Sequence, residues 1–306
     1  MDLELPDPLT VDLDGPVAYR LWDGPDERTF VLLHGLGGSG LNWLQVAPGL
    51  ARLGRVLVPD LLGFGETPRA GRSSKMMAQR RMLSALIREV GGGRAILGGN
   101  SMGGGIGIVT AAVDPAAVAG MVLTASIFPW VRGWRPHPLV VAAFAAYRNP
   151  VAGEWLVRRR FGPVDPQLAV RASLAMIAAD ARSVPPEMVR LMAAQVRARS
   201  EDPDAGPAFL EAARSMLRLG QLPARAAAAI DAIRCPVLVL HGRRDRLVPA
   251  SYAEAVLRSH PDWSGLIFPD LGHVPQMEAP DRWLAEVADW HAGIDPSGEV
   301  SRARRR

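Results

Sequence analysis

The sequence contains one cysteine, one lysine and no hydrophobic run long enough to cross a bilayer. Cys235 has no partner for an internal disulfide or a cysteine metal cluster, and its place before Pro236 at the start of an apolar run favours a buried structural thiol. The longest apolar run, residues 139–146, has eight residues, whereas a membrane-spanning helix needs about 20. We therefore expect no disulfide and no stable membrane insertion.

Signals for secretion and for low complexity are also lacking. The N-terminus, MDLELP, is acidic and has no apolar segment of a signal peptide, so a cytoplasmic location is the expectation. The 31 glycines and 26 prolines make up about 19% of the 306 residues, which is less than the roughly 25–30% typical of low-complexity chains. With 48% hydrophobic residues, the chain is expected to form a globular core.

The net charge of +4 hides an uneven distribution along the chain. Residues 1–127 carry a net charge of −1 and residues 231–296 one of −4, whereas residues 128–230 hold 14 basic and 8 acidic side chains. Proteins that bind nucleic acid through charge typically mix Lys and Arg along one stripe, and single-strand binders interleave aromatic residues among them. Neither pattern is present, so we predict no nucleic-acid partner.

Six short aliphatic runs predict the strands of a sheet, at residues 29–33, 55–58, 95–97, 119–124, 237–240 and 266–268. Continuous apolar runs that alternate with helical stretches are typical of a buried parallel sheet. Between residues 127 and 230 the spacing of Ala, Leu, Met and Arg is helical and indicates no strand. The sequence therefore predicts an α/β fold, a mostly parallel sheet flanked by helices, with an all-helical insertion.

A nucleophile motif follows the third of these runs. Residues 99–103 read Gly-Asn-Ser-Met-Gly, which fits G-x-S-x-G, before a helix predicted over residues 102–113. This turn is so tight that only small residues fit two positions either side of the serine, and it exposes the hydroxyl above a helix N-terminus. The glycines after Ser101 would each cost about 0.8–1 kcal/mol in a helix, so we expect close packing against its first turns.

A base and an acid are expected after the last two strands. His34 and His241 each end a strand before a glycine, where a structural role is common. His273 follows the last strand and a glycine, so its ring can reach the carboxyl edge of the sheet, where open α/β sheets bind ligands. Asp245 lies just past the preceding strand, whereas Asp270, three residues before the histidine, is better placed to brace its own turn. We favour Asp245 as the acid that orients the base.

Together these segments resemble an α/β-hydrolase. The HGLGG loop at residues 34–38, the DLLGFG turn, the serine elbow, the HGRRDRLVP loop and the GHVPQMEAP loop occur in that family's order, serine, aspartate, histidine. The resemblance implies Ser101 as nucleophile, His273 as base and Asp245 as orienting acid. It also implies an oxyanion hole formed by the backbone N–H groups of Leu36 and Met102.

The resemblance also divides the chain. It implies an α/β-hydrolase core over residues 1–127 and 231–294 and a helical cap over residues 128–230. Residues 295–306 are then expected to be a flexible, Arg-rich tail. The apolar start of the cap makes Trp130 and Trp134, together with Val274, candidate contacts of the substrate.

A comparison of this chain's motifs with those of several branches of the family favours an esterase. Haloalkane dehalogenases and epoxide hydrolases carry aspartate where this chain has Ser101. The elbow is similar to that of meta-cleavage-product C–C hydrolases, but those enzymes typically have tryptophan where this chain has Val274 and HG-x-GPG where it has HGLGG. We therefore predict a carboxylesterase-like serine hydrolase for a small or medium, largely apolar ester or thioester, with no cofactor and no metal.

Other functions remain open at this point. C–C hydrolysis of a ring-fission dienoate is the alternative that uses the same three residues, and Arg190 and Arg197 are its candidate ligands for a substrate carboxylate. An acyl acceptor other than water, cofactor-free perhydrolysis, and a triad-retaining receptor with little turnover are further alternatives. We expect a small-molecule substrate and a monomer or homodimer.

Overall fold

The computed structural model describes residues 5–25, 28–128, 137–160, 162, 164–219 and 221–294. Within these ranges it contains eight strands: β1 (Leu9–Asp12), β2 (Pro16–Trp22), β3 (Thr29–Leu33), β4 (Arg55–Pro59), β5 (Ala95–Asn100), β6 (Val118–Thr124), β7 (Val237–Gly242) and β8 (Ser264–Phe268). Its α-helices are α1 (Ala47–Leu50), α2 (Met76–Glu89), α3 (Met102–Val113), α4 (Pro138–Arg148), α5 (Pro150–Arg160), α6 (Pro166–Ile177), α7 (Pro186–Ser200), α8 (Ala205–Leu219), α9 (Pro223–Asp231), α10 (Ser251–Ser259), α11 (Pro275–Glu278) and α12 (Pro280–Ala292).

All eight strands form one sheet in the order β1-β2-β4-β3-β5-β6-β7-β8. Strands β3 to β8 are parallel, and β1 and β2 form an antiparallel edge. The predicted α/β fold with a mostly parallel sheet is confirmed. Strands β1 and β2 were not predicted, because β1 is largely exposed and β2 is interrupted by Arg20. The guanidinium of Arg20 pairs with Glu66.

The sheet separates two hydrophobic cores. Side chains alternate along β3, so that Val31 and Leu33 belong to the core that includes α2 and α3, while Phe30 and Leu32 belong to the core that includes α12. Burial on both faces explains the unbroken apolar runs of the parallel strands. The sheet is thus a rigid support whose carboxyl edge carries the loops discussed next.

Between β6 and β7 the described residues form helices α4 to α9 and no strand. We call residues 137–231 the helical segment. Since β6 and β7 are paired neighbours, with Thr124 opposite Leu240, the chain leaves and re-enters the sheet at adjacent strands. Trp130, Trp134 and the tail at residues 295–306 lie outside the described residues. In the part of the chain that is described, no helix is long and apolar enough to cross a membrane.

Candidate active site

Ser101 lies at the sharp turn between β5 and α3. Its backbone has φ +54° and ψ −115°, an uncommon conformation for a residue with a side chain, and such strain concentrates at functional sites. The turn is held by the Ser101 N–H, which donates to the carbonyl oxygen of Thr124 at 3.1 Å. A serine with this backbone at the carboxyl edge has the geometry that the G-x-S-x-G motif predicts.

The glycines around Ser101 allow backbone segments to approach closely. A Cβ at Gly99 would lie 2.5 Å from the Cα of Gly104, and one at Gly103 would lie 2.3 Å from the carbonyl oxygen of Leu33. Gly107 differs, because its nearest neighbour would be a flexible methionine methyl at 3.3 Å. The predicted close packing is therefore present at the first turn of α3 and relaxes by the second.

His273 and Asp245 are paired and buried. The Nδ1 of His273 lies 2.7 Å from Oδ2 of Asp245, and both residues are at most 9% exposed. Because a carboxylate only accepts hydrogen bonds, Nδ1 carries the proton and Nε2 is left with its lone pair. The histidine is thus oriented as a general base requires.

The carboxylate of Asp245 is held by its own loop. Its Oδ1 accepts hydrogen bonds from the backbone N–H groups of Leu247 and Val248, at 2.8 and 2.9 Å. Burial alone would raise the pKa of Asp245, but the charge of His273 and the hydrogen bonds of His273 and His241 hold that pKa well below its usual range. The competing Asp270 is half exposed and pairs instead with Arg282, at 2.7 Å.

Asn100 connects the histidine loop to the serine elbow. Its Nδ2 donates to the carbonyl oxygen of His273 at 3.0 Å and to that of Thr124 at 3.1 Å. Asn100 immediately precedes Ser101, so the position of the base is fixed relative to the candidate nucleophile. This buried side chain was not singled out by the sequence, since an asparagine at the variable position of the motif carries no signal of its own.

The Gly-rich loop lies against Ser101. A Cβ at Gly35 would lie 3.2 Å from the Cβ of Ser101, and Gly37 has φ +74°, a conformation that glycine adopts at no steric cost. Leu36 lies on this loop, and Met102 is the first residue of α3. The assignment of their backbone N–H groups to an oxyanion hole stays a prediction.

His34, at the start of the same loop, has a structural role. Its Nε2 accepts a hydrogen bond from the backbone N–H of Leu61 at 3.0 Å, and its Nδ1 donates to the carbonyl oxygen of Gly35 at 2.8 Å. Both nitrogens are therefore engaged. Burial lowers the pKa of His34 to about 4, so the ring is neutral near pH 7.

Asp60 fixes the next turn. Its two carboxylate oxygens accept hydrogen bonds from the backbone N–H groups of Gly40 and Glu66, at 2.6 and 2.7 Å. Burial raises the pKa of Asp60 to about 6, and these hydrogen bonds oppose the rise. The carboxylate is thus occupied by the backbone, consistent with a structural role for the DLLGFG turn.

The helical segment contacts the loops that carry His273 and Asp245. The backbone N–H of His273 donates to the carbonyl oxygen of Ile177 at 2.7 Å. Arg246, next to Asp245, donates from Nη1 to the carbonyl oxygens of Ala175 and Ala178, at 2.8 and 3.0 Å. The end of α6 therefore lies directly on the loops that carry the candidate base and the candidate acid.

Two further residues join the site although the sequence did not mark them as functional. His241 contacts Asp245, and Glu278 accepts a hydrogen bond from the backbone of the histidine loop.

Val274, a candidate substrate contact, is 1% exposed and packs in a hydrophobic core. Burial raises the pKa of the Cys235 thiol to about 11, so it is not a thiolate nucleophile near pH 7.

Several curated proteins are similar to this chain over most of its length. A 2-hydroxymuconate semialdehyde hydrolase from Pseudomonas sp. (strain CF600) is 30% identical over 91% of this chain and 92% of its own. Lipase 1 from Psychrobacter immobilis is 28% identical over 94% and 83%. The acetyltransferase component of an acetoin cleaving system from Pseudomonas putida is 29% identical over 85% of this chain, which spans 62% of that longer protein.

Solved structures share the fold at lower sequence identity. An esterase from Thermogutta terrifontis superposes with a TM-score of 0.70 at 23% identity, covering 93% of this chain and 97% of its own. A meta-cleavage product hydrolase from Pseudomonas fluorescens IP01 has a TM-score of 0.70 at 23% identity, covering 92% and 95%. The family described as the alpha/beta hydrolase fold matches residues 28–280, more than three quarters of the sequence. The chain with this strained serine and buried histidine–aspartate pair belongs to the family of the alpha/beta hydrolase fold.

Proposed function

We propose that this protein hydrolyses small or medium, largely apolar carboxylic esters or thioesters through an acyl-enzyme on Ser101. The observation that carries the proposal is the buried 2.7 Å contact between His273 Nδ1 and Asp245 Oδ2, on a loop that Asn100 ties to the serine elbow. It leaves His273 Nε2 as a base for the Ser101 hydroxyl. The similarity to a lipase over most of both chains supports the same chemistry.

The reaction proceeds in two steps. His273 Nε2 takes the proton of Ser101 as the hydroxyl oxygen attacks the carbonyl carbon, and the same proton passes to the alcohol or thiol that leaves. Water then attacks the acyl-enzyme, giving its proton to His273, and the acid departs as Ser101 regains a proton. The negative carbonyl oxygen of each intermediate is stabilised by the backbone N–H groups of Leu36 and Met102.

The proposed roles of Leu36 and Met102 follow from the loops that carry them. The glycine before Leu36 lies against the Ser101 side chain, and Met102 begins α3, whose N-terminus has unpaired N–H groups and a positive dipole. Removing one such donor from an enzyme typically lowers kcat by about 10²–10³. The helical segment above this edge is proposed to act as a cap over the sheet core.

Labelling by a fluorophosphonate, followed by a panel of aryl esters of increasing acyl length, tests the proposal. We expect a covalent adduct on the Ser101 peptide and turnover of the shorter esters, both lost in Ser101→Ala. Ser84→Ala is a matched control, because Ser84 is a buried serine on α2 and lies outside the serine elbow. Full esterase turnover by Ser101→Ala would contradict the proposal.

C–C hydrolysis is the second candidate, favoured by the similarity to 2-hydroxymuconate semialdehyde hydrolase. C–C hydrolysis of a dienoate is expected to need an inward-facing arginine that binds the substrate carboxylate. Arg190 is 63% exposed and pairs with Glu187, and Arg197 is also exposed. The least exposed arginine of α7 is the partly buried Arg199, which donates to the carbonyl oxygen of Gly63 at 2.5 Å. A higher kcat/KM for a ring-fission dienoate than for every aryl ester would favour this candidate.

A further inference from the structure

His241 is a second buried histidine beside the proposed acid. It lies near the end of β7, is wholly shielded from solvent, and places its Nε2 3.1 Å from Oδ2 of Asp245. The same nitrogen lies 2.8 Å from the carbonyl oxygen of Val248. Both neighbours only accept hydrogen bonds, so Nε2 carries a proton and shares it between them.

The other ring nitrogen determines the charge of His241. Its Nδ1 is buried and has no hydrogen-bond partner. A proton there would create a buried N–H without an acceptor, which is strongly unfavourable. His241 is therefore a neutral donor, and its Nε2–H faces the same oxygen that receives the His273 proton.

As a result, four hydrogen-bond donors surround one carboxylate. Leu247 and Val248 donate to Oδ1 of Asp245, and His273 and His241 face Oδ2. A carboxylate has about four acceptor positions, so this one is filled. Rotation of the Asp245 side chain in either direction would break at least one of these contacts.

We propose that His241 is a positioning residue, which holds Oδ2 of Asp245 in place for His273 and shares its negative charge. The inference rests on the proposed function of the triad and adds a fourth side chain to it. With His241 present, Asp245 orients His273 without binding the imidazolium so strongly that the proton is slow to leave. This role was not predicted from the sequence, because a histidine that ends a strand before a glycine is typically structural.

Variants that remove or replace the Nε2–H donor of His241 test its role in positioning Asp245. In His241→Leu we expect kcat for an aryl ester to fall about 5- to 10-fold with KM within about twofold. The acid-side midpoint of kcat/KM should move up by roughly half a pH unit, because Asp245 with one donor fewer holds the imidazolium more strongly. His241→Gln keeps an N–H at a similar reach and should recover most of both changes. His241→Phe serves as the donor-free variant if the leucine variant does not fold.

Proton NMR provides a readout that needs no turnover. The signal of the His273 Nδ1–H, assigned by its loss in His273→Asn, should shift in the donor-free variant and stay in place in His291→Leu, which removes a partly buried histidine on α12 instead. This readout stands even if Ser101→Ala shows that the protein is not an esterase. The proposal is overturned by an unmoved signal, by unchanged kcat and pH midpoint, or by equal losses in the Gln and donor-free variants.

Discussion

The backbone N–H groups of Gly272 and Ala179 donate to the two oxygens of one carboxylate, that of Glu278. The distances are 2.9 Å from Gly272 and 2.7 Å from Ala179. Gly272 precedes the candidate base, and Ala179 follows α6, so this buried side chain joins the histidine loop to the helical segment. Burial raises the pKa of Glu278, and the hydrogen bonds from the backbone oppose the rise.

Glu278→Gln should therefore weaken both the fold and the site. One of the two backbone N–H groups would face an NH2 group, so we expect the free energy of unfolding to fall by about 1–3 kcal/mol. The measurement is urea unfolding, together with kcat for an aryl ester, which should also fall. Glu254→Gln, which removes an ion pair with Arg243 at the surface, should change stability by less than about 1 kcal/mol. Equal effects of the two variants would contradict the assigned role.

The two candidate acids can be separated by a matched pair of amide substitutions. Asp245→Asn places an NH2 group opposite His273, which favours the tautomer whose Nε2 carries the proton and cannot act as a base. We expect kcat to fall by about 10³–10⁴, measured by steady-state kinetics with unchanged secondary structure. Asp270→Asn loses only a surface contact with Arg282 and should keep kcat within about twofold. Loss of activity in the second variant and not the first would reverse the assignment.

Substitution by alanine should destabilise the fold much more at Gly103 than at Gly107, although both glycines lie on α3. In Gly103→Ala the new Cβ would lie 2.3 Å from the carbonyl oxygen of Leu33, so the elbow must shift. We expect a loss of at least about 2 kcal/mol in the free energy of unfolding and the loss of esterase activity. In Gly107→Ala only a methionine methyl must move, and the higher helix propensity of alanine should offset this within about 1 kcal/mol. Denaturant unfolding of both variants is the measurement, and equal destabilisation would contradict the packing described.

The burial of His34 and Asp60 has opposite effects on stability as the pH changes. The pKa of Asp60 is raised to about 6 in the folded state, so its stabilising effect is complete at low pH and is lost as the pH rises through about 6. The pKa of His34 is lowered to about 4, so its stabilising effect is present at neutral pH and is lost as the pH falls towards 4. Between pH 4 and 6 the two effects oppose one another.

His34→Gln should remove one of these two effects. The free energy of unfolding of the variant should fall relative to that of the wild type as the pH rises from 4 to 6, by up to about 1.4 kcal/mol per pH unit. Urea unfolding at pH 4, 5 and 6 measures the difference. Parallel curves for the two proteins would show that His34 has the same proton affinity in the folded and unfolded chains.

The sequence predicted the features that depend on local pattern. The six parallel strands and α3 were recognisable from apolar runs and from the G-x-S-x-G spacing, because burial on both faces demands continuous apolar residues. The edge strands β1 and β2 were not, since the side chains of β1 are largely exposed and Arg20 interrupts the apolar residues of β2. The contact of His241 with Asp245 also escaped prediction, because it depends on how the loop after β7 folds back upon its own strand. The role of Glu278 escaped prediction too, because one of its partners, Ala179, lies 99 residues away in the chain.

The pairing of β6 with β7 determines the distance that any replacement of the helical segment must span. Because the two strands are parallel, Thr124 at the end of β6 lies opposite Leu240, whereas Val237 at the start of β7 lies opposite Met121. A replacement for residues 125–236 must therefore cross the sheet from its carboxyl edge to its amino edge, at roughly 3.3 Å for each residue of strand. The replacement must still offer a carbonyl oxygen to the His273 amide, as Ile177 does here. It must also replace the carbonyl oxygens of Ala175 and Ala178 that Arg246 binds and the Ala179 N–H that donates to Glu278. Grafting of a new helical segment is therefore constrained by several backbone groups that follow or end α6.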